Sequence, residues 1–135
     1  DVLAKKVYNL GAVGNGKLVK AMTNLLGAVN LAAVGALYRM AKAENLDMDA
    51  FAEVVKDSAG GSTQFDRNFK KMVNDDYSAT FTLSLLKKDM AIALSMADGL
   101  EGLSMPLARC AFELYKNGSQ YDSEDCSAIA KVDRI

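Results

Sequence analysis

An all-α domain built around one long helix is predicted by three observations. The 135 residues contain a single proline, Pro106, so little interrupts regular backbone. Strand-like alternation of apolar and polar residues is nearly absent. Alanine, leucine, methionine and lysine, all good helix formers, dominate residues 15–43, where beyond Gly16 at the start only Gly27 and Gly35 could weaken a helix. The hydrophobic share is 50%, enough for a core at this chain length.

Each element follows from local signals. Residues 6–10 (Lys-Val-Tyr-Asn-Leu) read as a short strand that ends in the glycine-rich turn Gly11 to Gly16. The long helix then spans about residues 15–43, and its second half is apolar on every side, at Leu25, Leu26, Val29, Leu31, Val34, Leu37 and Met40. Such a helix must be covered all round, by a bundle or by a second subunit. Asn45 is the predicted left-handed stop, and Asp47 caps a second helix with Met48, Phe51 and Val55 inward. Ser58 to Ser62 is a loop; a third helix over 63–73 carries Phe65, Phe69 and Met72. A fourth runs over about 83–100 with Leu86, Met90, Ala93 and Ala97 at helical spacing. Ser104 with Pro106 in the first turn opens a fifth, and Gly118 closes it. A last short helix is predicted after Asp122 and Ser123, with Asp125 completing a capping box.

Composition narrows the chemistry. The chain has no histidine, which removes serine–histidine and cysteine–histidine catalysis and the commonest metal ligand together. Sixteen basic and seventeen acidic residues give a net charge of −1, so no field of one sign attracts nucleic acid or an anionic membrane. The most apolar run, residues 25–38, falls short of the roughly 20 residues a bilayer span needs. Cys110 and Cys126 lack CxxC spacing and read as reduced thiols in the cytoplasm. No metal site is expected.

The densest constellation is Gly11-x-x-Gly14-x-Gly16-x-x-x-Lys20-x-x-x-Asn24. Lys20 and Asn24 stand four apart on one helix face, near a helix N-terminus that favours a carboxylate. An ammonium that can transfer a proton and an amide that can hold an acid are thus presented together. Two blander readings compete: a glycine turn before a capped helix with surface lysines, and a phosphate loop. Residues 11–17 do fit G-x-x-x-x-G-K, but Leu18 stands where serine or threonine should hold magnesium. Likewise Lys87-Lys88-Asp89, read alone, is a solvated helix face.

Taken in register, four segments are similar to the C-terminal domain of the β-hydroxyacid dehydrogenases, the 3-hydroxyisobutyrate dehydrogenase and tartronate semialdehyde reductase type. They are the Gly11 to Asn24 constellation, Ser58-Ala59-Gly60-Gly61-Ser62, Phe81 through Lys88-Asp89, and Asp125-x-Ser127-Ala128. The resemblance covers nearly the whole chain. It implies a fold like the 6-phosphogluconate dehydrogenase C-terminal domain, with residues 1–10 the remnant of a preceding dinucleotide-binding domain and 11–135 the helical substrate and dimerisation domain. It makes Lys20 the catalytic lysine, Asn24 a substrate ligand, and Lys88, Asp89 and Phe81 the cofactor side of the cleft. The implied reaction passes hydride between a short 3-hydroxy acid and NAD or NADP, the cofactor being held mainly by the other domain. The implied assembly is a homodimer, with no turnover by this part alone. The alternative from another class is a non-catalytic helical dimerisation module.

Overall fold

The computed structural model describes residues 7–133, and within them the helix boundaries follow side-chain chemistry closely. Helix α1 is Asn15–Ala43, α2 Met48–Lys56, α3 Thr63–Val73, α4 Leu83–Asp98 and α5 Pro106–Asn117; two 3₁₀ segments follow, Ser119–Tyr121 and Cys126–Lys131. The all-α expectation holds: among the described residues the one β-type pairing is an isolated antiparallel bridge between Thr82 and Asp125. Residues 7–10 form no strand, contrary to expectation, because a lone extended segment has no neighbour to complete a ladder; Lys6 lies outside the described residues.

Local signals explain the ends. Gly14, at φ 101°, precedes α1 in a conformation that L side chains rarely adopt, and the Asn15 amide donates to the Leu10 carbonyl at 2.7 Å to close the turn. Asn45, at φ 54°, stops α1: its N–H donates to Lys42 O and that of Leu46 to Ala41 O, the paired bonds of a Schellman end. Asp75, at φ 51°, repeats the arrangement after α3. Asp47 and Ser62 accept from the first-turn amides of α2 and α3.

Three boundaries differ from the prediction. Helix α4 ends at Asp98, two residues early. Met105, not Ser104, precedes α5 and offers no side-chain cap, while Pro106 sits in the first turn where its missing N–H costs nothing. The terminal 3₁₀ segment is capped by Asp125 itself. Asp122 instead ends the 3₁₀ segment Ser119–Tyr121 and pairs with Lys87 at 2.6 Å.

Helix α1, about 43 Å long at 1.5 Å per residue, packs against α3, α4, α5 and the terminal 3₁₀ segment. It has the length and mean hydropathy of a membrane span, yet one face is spent on the core through Leu25, Ala28, Leu31, Val34 and Tyr38. Burial of each of Leu25, Leu31 and Val34 contributes roughly 1.5–3 kcal/mol. Phe69 gathers an aromatic cluster, stacked on Phe65 at 4.6 Å and meeting Phe51 at 5.6 Å and the edge of Tyr38 at 6.2 Å. Tyr115, fully buried, donates to the Ala28 carbonyl at 2.9 Å and ties α5 to α1; burial holds its phenol well above the ordinary range. Gly35 permits a close approach of two backbones: a Cβ there would lie 3.3 Å from the backbone of Ala130.

The expectation that α1 is covered all round is met on one side only. Val19, Met22, Leu26, Leu37 and Met40 remain exposed, Leu26 by 62% and Met40 by 66%, and fall on one stripe at helical spacing.

Candidate functional site

Two recesses meet at Asn24. The smaller, about 130 Å³, lies between the first half of α1 and the second half of α4 and is lined by Lys17, Lys20, Asn24, Asp89, Ile92 and Met96. The larger, about 490 Å³, lies between the middle of α1, the polar face of α3 and the start of α4; Asn24, Gln64, Arg67, Lys71 and Phe81 are among its walls. The two helices therefore run in opposite directions along both recesses.

Helical periodicity brings Lys20 and Asn24 onto one face, as expected from their spacing. Lys20 is exposed and Asn24 half-buried. The Asn24 side-chain amide donates to the Asp89 carboxylate at 2.7 Å, across 65 residues. A carboxylate only accepts, so this contact fixes the amide: its N–H₂ faces Asp89 and its carbonyl oxygen is left as an acceptor. Lys20, Asn24 and Asp89 thus share one recess.

Phe81 and Lys88 stand apart from that trio. Phe81, 38% exposed, lines the larger recess, and Lys88 is exposed and lines neither. Lys87-Lys88-Asp89 is not a uniform solvated face. Lys87 reaches one way, to Asp122 at 2.6 Å and the Ser119 hydroxyl at 2.9 Å, whereas Asp89 reaches the other way, to Asn24.

Phe81 owes its place to Asp125, whose role as more than a cap the sequence did not disclose. One carboxylate oxygen accepts from the Thr80 amide at 2.9 Å, the Thr80 hydroxyl at 2.8 Å, the Phe81 amide at 3.4 Å and Lys71 Nζ at 3.0 Å. The other accepts from the Ser127 amide at 3.1 Å and its hydroxyl at 2.8 Å. Asp125 is 1% exposed. Burial pushes its carboxyl up, but the hydrogen bonds from Thr80, Lys71 and Ser127 outweigh it and hold the group well below the usual carboxylate range. Its neighbour Cys126 moves the other way, its thiol pushed up to about 12 by burial and then by the Asp125 charge. Both cysteines are free.

The polar face of α3 lies opposite the side marked by its aromatic spacing, which says nothing about it. Gln64, Arg67, Asn68 and Lys71 recur at i, i+3, i+4 and i+7, one helix face, and that spacing was the available signal. The phosphate-loop reading finds no parallel sheet among the described residues. Nor do three or more acidic, cysteine or histidine side chains cluster as metal ligands among them. Ser58 to Ser62 is a turn whose last member caps α3.

Known proteins resemble this chain over nearly all of its length. The family described as NAD-binding of NADP-dependent 3-hydroxyisobutyrate dehydrogenase matches residues 14–132. An L-threonate dehydrogenase of Pectobacterium atrosepticum is 30% identical over 98% of this chain and 44% of its own length. Glyoxylate/succinic semialdehyde reductase 2 of Arabidopsis thaliana is 30% identical over 98% of this chain and 37% of its own. The crystal structure of a 3-hydroxyisobutyrate dehydrogenase from Salmonella typhimurium superposes with a TM-score of 0.90 at 28% identity, covering 96% of this chain and 46% of that one. The chain thus spans under half the length of these relatives.

Proposed function

The chain belongs to the family described as NAD-binding of NADP-dependent 3-hydroxyisobutyrate dehydrogenase, and from that premise we propose that it is the substrate-holding, proton-moving part of a hydroxy-acid oxidoreductase. The observation that carries this reading is the convergence of Lys20, Asn24 and Asp89 on one recess, with Asn24 oriented by its 2.7 Å bond to Asp89.

In this reading Lys20 is the general acid and base: its Nζ gives a proton to the carbonyl oxygen of the substrate during reduction and takes one from the hydroxyl during oxidation. The Asn24 carbonyl oxygen, pointed away from Asp89, accepts from the substrate hydroxyl or from Lys20 and keeps the reacting oxygen beside the ammonium. Asp89 acts through Asn24, by holding the amide in that orientation. NAD or NADP, when bound, supplies the hydride acceptor or donor. The residues here fit its flank but not its main site. The exposed Phe81 ring offers a flat apolar surface and Lys88 a cation, whereas no glycine-rich turn leads from a strand into a helix among the described residues. The binding of its phosphates is therefore assigned to a partner domain.

The substrate is a short hydroxy acid, matching the printed names of the relatives. We place the protein in the cytoplasm with its two thiols reduced, and apart from nucleic acid, which a net charge of −1 does not attract. The bare stripe Val19, Met22, Leu26, Leu37 and Met40 is assigned to a second copy, giving a homodimer. The test is to join this chain to a dinucleotide-binding domain of the family and assay short 3-hydroxy acids. Lys20→Ala should lower kcat by about 100-fold or more, and near-normal turnover would leave only the dimerisation-module reading.

A further inference from the structure

The 490 Å³ recess on the far side of Asn24 shares Asn24 and Phe81 with the chemistry just described, and its remaining walls are unusual in charge. Arg67 and Lys71 line it and no acidic side chain does; Asp125, which pairs with Lys71, lies 1% exposed behind it. The Lys71 ammonium spends two donors on Thr80 and Asp125, leaving one of three. Arg67 is exposed and has its planar fork of five donors available, the geometry that matches a carboxylate bidentately.

The amides are set to donate as well. Asn68 gives its N–H₂ to the Gln64 backbone carbonyl at 3.0 Å and to the Gln64 side-chain carbonyl at 2.9 Å. Gln64 Oε1 is turned toward Asn68, which leaves Nε2 as the donor on the other side, and Gly27 makes room for it: a Cβ at Gly27 would lie 2.9 Å from that nitrogen. A cation, a second cation and an amide donor therefore converge on one cavity that shares Asn24 with the Lys20 recess.

Resting on the reading of Lys20 given above, we infer that this cavity is a subsite for a second carboxylate, at the end of the substrate remote from the reacting carbon, with Arg67 its main ligand. The substrate class is then a short dicarboxylic hydroxy acid or its oxo counterpart.

The test is calorimetric titration of the full 135-residue chain with glutarate, pentanoate and inorganic phosphate, repeated with Arg67→Gln. Glutarate should bind about tenfold or more tighter than pentanoate, the worth of one charge-assisted pair, and Arg67→Gln should erase that advantage. Arg67 is exposed, and unchanged helical circular dichroism of its variant would exclude misfolding as the cause. Equal affinity for glutarate and pentanoate, or an advantage that survives Arg67→Gln, overturns the subsite. So does phosphate binding as tightly as glutarate and with the same dependence on Arg67. Lys20→Ala reports separately, through kcat in the joined enzyme: if turnover stays near normal while Arg67→Gln still removes the advantage, the subsite stands and the role given to Lys20 falls.

Discussion

The side-chain amide of Asn24 donates to the carboxylate of Asp89 at 2.7 Å, and this single bond joins α1 to α4 at the point where two recesses meet. Because it turns the N–H₂ of Asn24 to one side, it decides which atom the amide presents on the other. A double-mutant cycle with Asn24→Ala and Asp89→Ala, read as kcat/KM in the joined enzyme, should give a coupling of about 1–2 kcal/mol. Additive losses would mean that the two residues act separately.

Asp125 should govern both stability and acid sensitivity. Asp125→Asn removes a buried charge that satisfies Thr80, Lys71 and Ser127, at a cost of about 2–4 kcal/mol at pH 7. Folding holds this carboxyl below its ordinary value of about 3.9, so its contribution is complete above that value and is lost as the pH falls toward the folded one. Urea unfolding should therefore show a larger gap between wild type and Asp125→Asn at pH 7 than at pH 3. A gap that does not shrink on acidification would contradict the assignment.

The two mid-helix glycines of α1 should respond differently to a methyl group. At Gly35 the added Cβ meets the backbone of Ala130 at 3.3 Å, which cannot swing aside, so Gly35→Ala should destabilise by about 1–2 kcal/mol despite its better helix propensity. At Gly27 it meets the end of the flexible Gln64 side chain. Gly27→Ala should leave thermal stability within about 1 kcal/mol of wild type, with the larger recess narrowed; chemical denaturation of both variants checks the contrast.

Tyr115→Phe keeps the buried ring and deletes its hydroxyl bond to the Ala28 carbonyl. The loss should be about 1 kcal/mol. An unchanged denaturation midpoint would show that the bond is neutral.

The exposed stripe of α1 gives an assembly prediction. Leu26→Lys with Met40→Lys changes side chains that are 62% and 66% exposed, so monomer stability should hold while sedimentation at micromolar concentration shifts from dimer to monomer. A wild-type chain already monomeric would remove the need for a covering subunit.

Most of the helical architecture was written locally. Asp47, Asn45 and Gly118 act on their own neighbours through hydrogen bonds or backbone dihedrals, and the 3.6-residue repeat of Phe65, Phe69 and Met72 depends on no distant partner. The start of the terminal 3₁₀ segment is not legible because Asp122, Ser123 and Asp125 can each cap, and only the chain path selects among them; at α5 the chain path leaves Ser104 one residue short of the cap position, which Met105 takes. The pairing of Lys20 with Asn24 was legible for the same local reason, since four residues make one turn.

What the sequence by itself determined, then, is everything set within a turn or two of chain: the helices, most of their ends, and the face that Lys20 and Asn24 share. Tertiary structure alone decided that Asp89 orients Asn24, that Asp125 carries Phe81 and Lys71, that Lys88 stands outside both recesses, and that Arg67 faces a cavity. The contacts of Asn24 with Asp89 and of Asp125 with Lys71 and Phe81 span 44 to 65 residues, and no periodicity reaches that far. They arise when burial of the apolar faces of α1, α3 and α4 forces their remaining polar groups to satisfy one another.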